Sequence, residues 1–373
     1  MKKIPVISLT NLDIYTRIVL QARTWLSDKK LVLGYVFGIC LFASGLHHSE
    51  FIWAGVALII SISLIMLLFA IRNKSINIGK KEIWIPLLVI VASILIAPGQ
   101  TDSKIFGVFI IPIYLAGIQL GDRAFKPMAI LTCVGAVSVI VFGFTSDWER
   151  LGGIYNSHAV SGARNIATGM IIMGIVVSPQ WWVTCIGTAG LAATGAEEAL
   201  FVGGCLILLG LVTRNWRRVI PVILVICLGL AIVTPLGITA KIYSKADTRI
   251  DAAIDIVTGD ITEENLNIAT HDRYGTIVKT FRMYGFRFFG TGYNPYNVSY
   301  YSLHNVPLRV LFEIGFLAAI AWLWLLGYKI LKLKGPLRTV WIAVGLMSIF
   351  DHFMWTSLGI WYWYLLGVPE YKT

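Results

Sequence analysis

Residues 105–144 read IFGVFIIPIYLAGIQLGDRAFKPMAILTCVGAVSVIVFGF, which is two long apolar runs around a short polar break. The break holds Arg123 and Lys126, whereas neither apolar run carries a charged side chain. The same alternation recurs along the chain, which is 57% hydrophobic and 14% charged. A soluble domain has about a quarter of its residues charged. The pattern therefore predicts an all-α polytopic membrane protein.

The apolar runs predict about twelve membrane-spanning helices, with ten or eleven as the alternatives. Runs shorter than the roughly 20 residues of a straight span are interpreted as tilted or broken helices inside the bundle. The runs lie at 31–46, 51–71, 83–97, 105–120, 128–144, 165–178, 181–193, 199–212, 219–236, 306–328, 339–350 and 353–367.

Lysine and arginine are concentrated in alternate connecting segments. The N-terminal tail holds six of them. The other basic segments are 72–82, 121–127, 213–218 and 329–338. The short connections of the opposite parity hold only Lys104, Arg150 and Arg164. The positive-inside rule then predicts that both termini are cytoplasmic and that the longest polar stretch lies outside.

This topology divides the chain into four parts. Residues 1–30 form a cytoplasmic or interfacial N-terminal segment, and residues 31–236 hold nine predicted spans. Residues 237–304 form a long extracytoplasmic loop, and residues 305–373 hold three further spans and the C terminus.

The net charge of +11 does not indicate a nucleic-acid partner, because most positive side chains lie at the ends of apolar runs. The five cysteines all fall inside apolar runs, which argues against a disulfide framework. The sequence contains no Asp-x-Asp, His-x-x-x-His or Cys-His spacing, so no metal and no cofactor is predicted.

The outer loop carries fixed positive charge and two predicted helices, 248–258 and 272–289, the second closed by Gly290-Thr291-Gly292. Arg273 falls in the first turn of the second helix, where a cation opposes the helix dipole. This indicates that Arg273 is present for a partner. Lys279, Arg282 and Arg287 follow in the same stretch.

The loop ends in His304-Asn305, just before Pro307, a residue that suits the first turn of a helix. A neutral imidazole at that position is a natural base for a hydroxyl proton. Glu313 lies about two and a half turns further along the same helix. Two roles remain open for it: a buried carboxylate paired with an arginine, or a group that steadies the site.

Asp351 and His352 interrupt the apolar sequence near the C terminus and are predicted to face outward. Two readings stay open for this dipeptide as well. It approaches His304 from across the bundle, with Asp351 orienting an imidazole or countering an arginine, or it is the polar turn between two helices.

Three segments resemble the O-antigen ligase/polymerase family of bacterial membrane glycosyltransferases. RLGGIYNSHAVSG (150–162) is similar to the family's Arg-x-x-Gly-x-x-x-Asn segment. DRYGTIVKTFRMYGFRFFGTGYNPY (272–296) is similar to its loop segment, an arginine followed by a helix and Gly-x-Gly. HNVPLRVLFEIGFLA (304–318) resembles its His-Asn…Glu-x-Gly entry into a late span.

The resemblance implies a GT-C-like fold in the bacterial inner membrane, with the active site on the periplasmic face. It implies a metal-independent, inverting transfer of a glycan from undecaprenyl diphosphate to the hydroxyl of a lipid or glycan acceptor. His304 is then the base, and Arg150, Arg273 and Arg164 are the diphosphate contacts. Asn305, Glu313, Asp351 and His352 are the supporting residues.

One departure from the family pattern stands at TGAEEAL, where Glu197 and Glu198 replace an expected arginine. Either another cation such as Arg164 takes over that role, or this chain handles its donor differently. The alternative function is a non-enzymatic transporter or flippase of a polyprenyl-linked glycan or another anion. A transporter places its functional charges near the bilayer midplane, whereas this chain is predicted to place them at the outer mouth.

Overall fold

The computed structural model describes most of the chain. The described residues are 29–44, 49–72, 79–98, 101–145, 163–178, 180–194, 201–206, 219–220, 223–224, 227, 246–270, 273–285, 287–292, 305–350 and 357–369. The described structure is 89% helical.

The described α-helices range from 8 to 24 residues in length. In the first half they are α1 (Lys29–Ala43), α2 (Ser49–Arg72), α3 (Lys81–Ile96), α4 (Thr101–Leu120), a 3₁₀ helix (Gly121–Ala124), α5 (Phe125–Thr145), α6 (Ala163–Val177) and α7 (Trp181–Thr194). In the second half they are α8 (Ala246–Thr258), α9 (Glu263–Thr270), α10 (Arg273–Tyr284), α11 (Val306–Glu313), α12 (Phe316–Lys332), α13 (Gly335–Phe350) and α14 (Ser357–Gly367).

The polytopic fold class predicted above, with ten to twelve membrane spans and a GT-C-like architecture, is wrong for the described chain. One helical stretch, Lys104–Phe144, is long and apolar enough to cross a membrane by length and composition. Shorter apolar helical stretches among the described residues are Lys30–Ala43, Gly55–Leu68, Ala167–Val177 and Leu337–Ile349.

The apolar runs nevertheless mark where helices form. Run 83–97 corresponds to Lys81–Ile96, and run 105–120 to Thr101–Leu120. The predicted loop helix 248–258 is confirmed as Ala246–Thr258. Residues 1–28 and most of the runs 199–212 and 219–236 lie outside the described residues.

The hydrophobic core is centred on α14, whose Trp361, Trp363 and Tyr364 side chains are fully buried. This helix packs on α4 through paired glycines. A Cβ at Gly117 would collide with the backbone oxygen of Tyr364 in α14. A Cβ at Gly367 would collide with the backbone oxygen of Tyr114 in α4. Tyr364 also donates a hydrogen bond of 2.6 Å from its hydroxyl to the Gly121 carbonyl.

Two groups of helices pack around this centre. α5, α6 and α7 contact one another, and α1 packs on α2 and α5. On the other side α12 packs on α3, while α11 and α13 both contact α12. α11 also contacts α13, so the short helix that follows His304-Asn305 lies against the C-terminal core.

The predicted apolar run 306–328 is not one helix, because the chain breaks between α11 and α12. Gly315 adopts φ 118°, a conformation that favours glycine, and it separates the two helices. The predicted helix 272–289 is likewise shorter than expected. It ends at Tyr284, where Gly285 at φ 59° follows in the left-handed conformation typical of a helix end.

Candidate functional site

The start of α11 is fixed by Asn305. Its Oδ1 accepts a hydrogen bond of 3.0 Å from the Leu308 amide, which is the N-cap interaction, and Pro307 lies in the first turn as predicted. Its Nδ2 donates a second hydrogen bond of 3.2 Å to the Ile349 carbonyl near the end of α13. One side chain therefore joins the beginning of α11 to the end of α13.

Glu313 ends the same helix and is buried in an ion pair. Its Oε1 accepts a hydrogen bond of 2.6 Å from Arg309 Nε, and the two side chains are 1% and 3% exposed. This confirms the pairing of Glu313 with an arginine. Whether Glu313 also steadies a catalytic site stays a prediction. Arg309 was not among the predicted site residues, although its i, i+4 spacing from Glu313 is the signal for such a pair.

A short extended segment, residues 287–292, is bonded to the break between α11 and α12. The backbone hydrogen bonds run from Gly290 N to Ile314 O (2.9 Å), from Thr291 N to Phe312 O (2.8 Å), from Gly292 N to Glu313 O (2.8 Å) and from Phe316 N to Arg287 O (3.0 Å). These bonds satisfy carbonyls at the end of α11 that have no partner within the helix. The loop segment is thus attached firmly to the helix that follows His304.

The glycines at this attachment are needed for close approach. A Cβ at Gly290 would collide with the backbone of Glu313, and a Cβ at Gly315 would collide with the Phe288 carbonyl. The Gly290-Thr291-Gly292 motif therefore serves backbone packing against a helix end, rather than the phosphate cradle of a nucleotide loop.

The helix α10 docks on α11 through aromatic side chains. The rings of Phe281 and Phe312 meet edge to face at 4.7 Å between centroids. Ile277 and Tyr284 also pack against Phe312, as does Leu308 from its own helix. These contacts hold the positively charged loop helix against the helix that begins at Asn305.

Arg273 is the first residue of α10 and lies along the docked side. The spacing Arg273, Ile277, Phe281 and Tyr284 keeps the four side chains on one side of the helix. The Arg273 side chain is half-buried, and its Nε is shielded from solvent. Three further cations of the stretch 272–289, Lys279, Arg282 and Arg287, are exposed.

The structure describes few of the remaining predicted site residues. Arg164 belongs to the first turn of α6, and the backbone alone is described there. His304, Arg150, Asp351 and His352 lie outside the described residues, as do Glu197 and Glu198. Among the side chains that are described, none form a cluster of three or more histidine, cysteine, aspartate or glutamate residues suited to a metal ion.

No family model matches the chain, and no curated protein matches it. The resemblance to the O-antigen ligase/polymerase family therefore rests on the three quoted segments alone.

Proposed function

We propose that this chain transfers a glycan from undecaprenyl diphosphate to an acceptor hydroxyl at the outer face of a bacterial inner membrane. His304 is the base, Arg273 contacts the diphosphate, and Arg150 and Arg164 are further candidates for that contact. The lipid or glycan acceptor supplies the hydroxyl, and no metal takes part.

The observation that carries the proposal is the hydrogen bond from Asn305 to the Ile349 carbonyl. His304 directly precedes Asn305, and Asp351 follows two residues after Ile349. Consecutive Cα atoms are about 3.8 Å apart, and the proposal therefore places both residues near this bond. This supports the reading in which Asp351 approaches His304 from across the bundle.

The docking of α10 supports the assignment of Arg273. The C-terminal ends of α10 and α11 lie together. Segment 287–292 follows α10 in the chain, and its backbone is hydrogen-bonded to the end of α11. Phe281 and Phe312 are in ring contact, and the residues eight positions before them are Arg273 and His304. The proposal accordingly places the cation and the imidazole toward the same end of the helix pair.

The chemistry follows from these two groups. The acceptor oxygen attacks the anomeric carbon while His304 takes its proton, and a new C–O bond forms with inversion. The bond between the anomeric carbon and the diphosphate oxygen breaks, its electron pair stays on that oxygen, and undecaprenyl diphosphate leaves. Its negative charge grows as the bond breaks, so the fixed guanidinium of Arg273 stabilises the transition state more than the ground state.

The test is the variant His304→Ala, assayed as the purified chain with a lipid-linked oligosaccharide donor. Removal of a general base lowers the rate by about 10²- to 10⁴-fold. His271→Ala is the matched control, since it removes an imidazole from the same loop, and its transfer rate should not change. Undiminished transfer by His304→Ala would contradict the proposal. A chain that is a transporter forms no transferred product in this assay, with or without His304.

The class of acceptor is identified from the lipopolysaccharide profile of a strain that lacks this chain. Unligated lipid-linked polymer in its lipopolysaccharide profile indicates a ligase. Single repeat units on the core indicate a polymerase. A profile identical to that of the parent strain would contradict both forms of the proposal.

A further inference from the structure

The exposed side of α10 and the segment that follows it together carry basic and aromatic side chains. We call the exposed residues Lys279, Arg282, Met283, Arg287, Phe288 and Phe289 the basic face. Phe288 is 67% exposed, Met283 50% and Phe289 47%. Exposing adjacent large apolar side chains to water is unfavourable by roughly 25 cal/mol for each Å². Such a patch indicates a surface that is covered in use.

The basic face continues onto the exposed side of α12. The rings of Phe288 and Phe316 meet edge to face at 6.3 Å between centroids. Phe316, Ile320 and Trp324 follow at helical spacing and are 40%, 49% and 57% exposed. The basic face therefore borders an apolar strip that runs along a second helix, α12.

Charge is segregated between the parts of the loop. Residues 273–292 hold four cations and no carboxylate. Residues 246–270, which form α8 and α9, hold six carboxylates and one arginine. α9 contacts α10, so a negative and a positive region lie next to each other. An anionic surface would attract the basic face and repel α8 and α9, which gives the loop a preferred orientation.

We infer that the basic face is a docking surface for the anionic phospholipids of a membrane. Arg282 and Arg287 contact lipid phosphates, and Phe288 and Phe289 enter the boundary between headgroups and acyl chains. Segments that lie at a membrane interface typically combine arginine and lysine with exposed phenylalanine. The guanidinium fork also suits phosphate oxygens. Arg287 is further held in place by its Nε, which donates a hydrogen bond of 3.3 Å to the Tyr284 carbonyl.

This assignment is independent of glycan transfer. Lys279 and Arg282 lie on the side of α10 away from Arg273, and Arg287, Phe288 and Phe289 follow the helix, so the two surfaces are changed by different substitutions. A docked loop would hold α10, and through Phe281 and Phe312 the end of α11, at a fixed height above the lipid.

The test uses the full chain in lipid nanodiscs with a photo-cross-linking benzoylphenylalanine in place of Phe288. The nanodiscs contain phosphatidylglycerol and phosphatidylcholine in equal amounts, and the adducts are identified by mass spectrometry. The matched control position is Val257 on the acidic helix α8, which is 87% exposed. The inference expects lipid adducts at position 288, enriched in phosphatidylglycerol, and few lipid adducts at position 257.

The substitutions Arg282→Ala and Arg287→Ala then separate docking from chance contact. The phosphatidylglycerol enrichment should fall by about fivefold for each cation removed, from the surface attraction of a single basic residue. Arg338→Ala, an exposed cation on α13, should leave it unchanged. Equal lipid adducts at positions 288 and 257, adducts without anionic preference, or adducts to a second copy of the chain would each overturn the inference.

Discussion

The buried ion pair between Arg309 and Glu313 predicts a strong energetic coupling. Both side chains are almost completely shielded from water and are joined by a 2.6 Å hydrogen bond. Arg309→Met or Glu313→Leu alone leaves the other charge buried without its counter-ion. Each single variant is expected to lower the free energy of unfolding by about 3–5 kcal/mol.

The double variant Arg309→Met/Glu313→Leu removes both charges and fills their space with apolar side chains of similar volume. Replacing a whole buried pair in this way is often close to neutral or stabilising. The double variant should therefore be more stable than either single variant. The coupling energy between the two positions would then amount to several kcal/mol, far above the roughly 0.5 kcal/mol expected for independent sites.

The assay is equilibrium unfolding of the purified chain, with all four forms measured in the same detergent. Arg338→Met is the matched control because it removes an exposed cation, and its stability should hardly differ from that of the parent chain. The reasoning would be refuted if the two single effects simply add in the double variant. Single variants as stable as the parent chain would refute it equally.

Three further predictions concern the contacts around α11. Asn305→Ala removes both the N-cap and the hydrogen bond to Ile349, and it should lower the free energy of unfolding by about 1–2 kcal/mol. Asn305→Asp keeps the cap oxygen and should cost less, so equal losses in the two variants would contradict this role of Asn305. Gly315→Ala should lower the free energy of unfolding by about 1–3 kcal/mol through backbone strain, and further through the collision of its Cβ with the Phe288 carbonyl. Gly327→Ala, which has open space around it inside α12, should be neutral or stabilising in the same unfolding assay. Arg273→Ala should lower the rate of glycan transfer by about 10²-fold, with Arg273→Lys in between, and an unchanged rate in both would exclude Arg273 from the diphosphate contact.

The sequence located most described helices but misjudged their extent. Apolar runs show where a helix is buried, yet they do not show where the backbone turns. Gly315 at φ 118° looks like an ordinary small residue in an apolar run, yet it divides a predicted span into α11 and α12. The count of about twelve spans is wrong because it took short apolar runs as membrane spans, whereas one described helical stretch is long and apolar enough to cross a membrane.

The candidate site was predictable where the signal is local. Pro307 in the first turn and Glu313 further along the same helix follow from spacing alone. The bond from Asn305 to Ile349 joins residues 44 positions apart, and the contact between Phe281 and Phe312 joins two separate helices. Such pairings depend on how the helices pack, which no periodicity in one sequence encodes.

The central claim is that the imidazole of His304 and the guanidinium of Arg273 face one shared site. The most direct measurement is the distance between these two groups in an experimental structure of the full chain in lipid, with a polyprenyl diphosphate bound. Packed helices lie about 8–10 Å apart, so the account predicts both groups within roughly 15 Å of each other, with the diphosphate between them. A separation beyond about 25 Å, or a diphosphate bound away from both side chains, would contradict it.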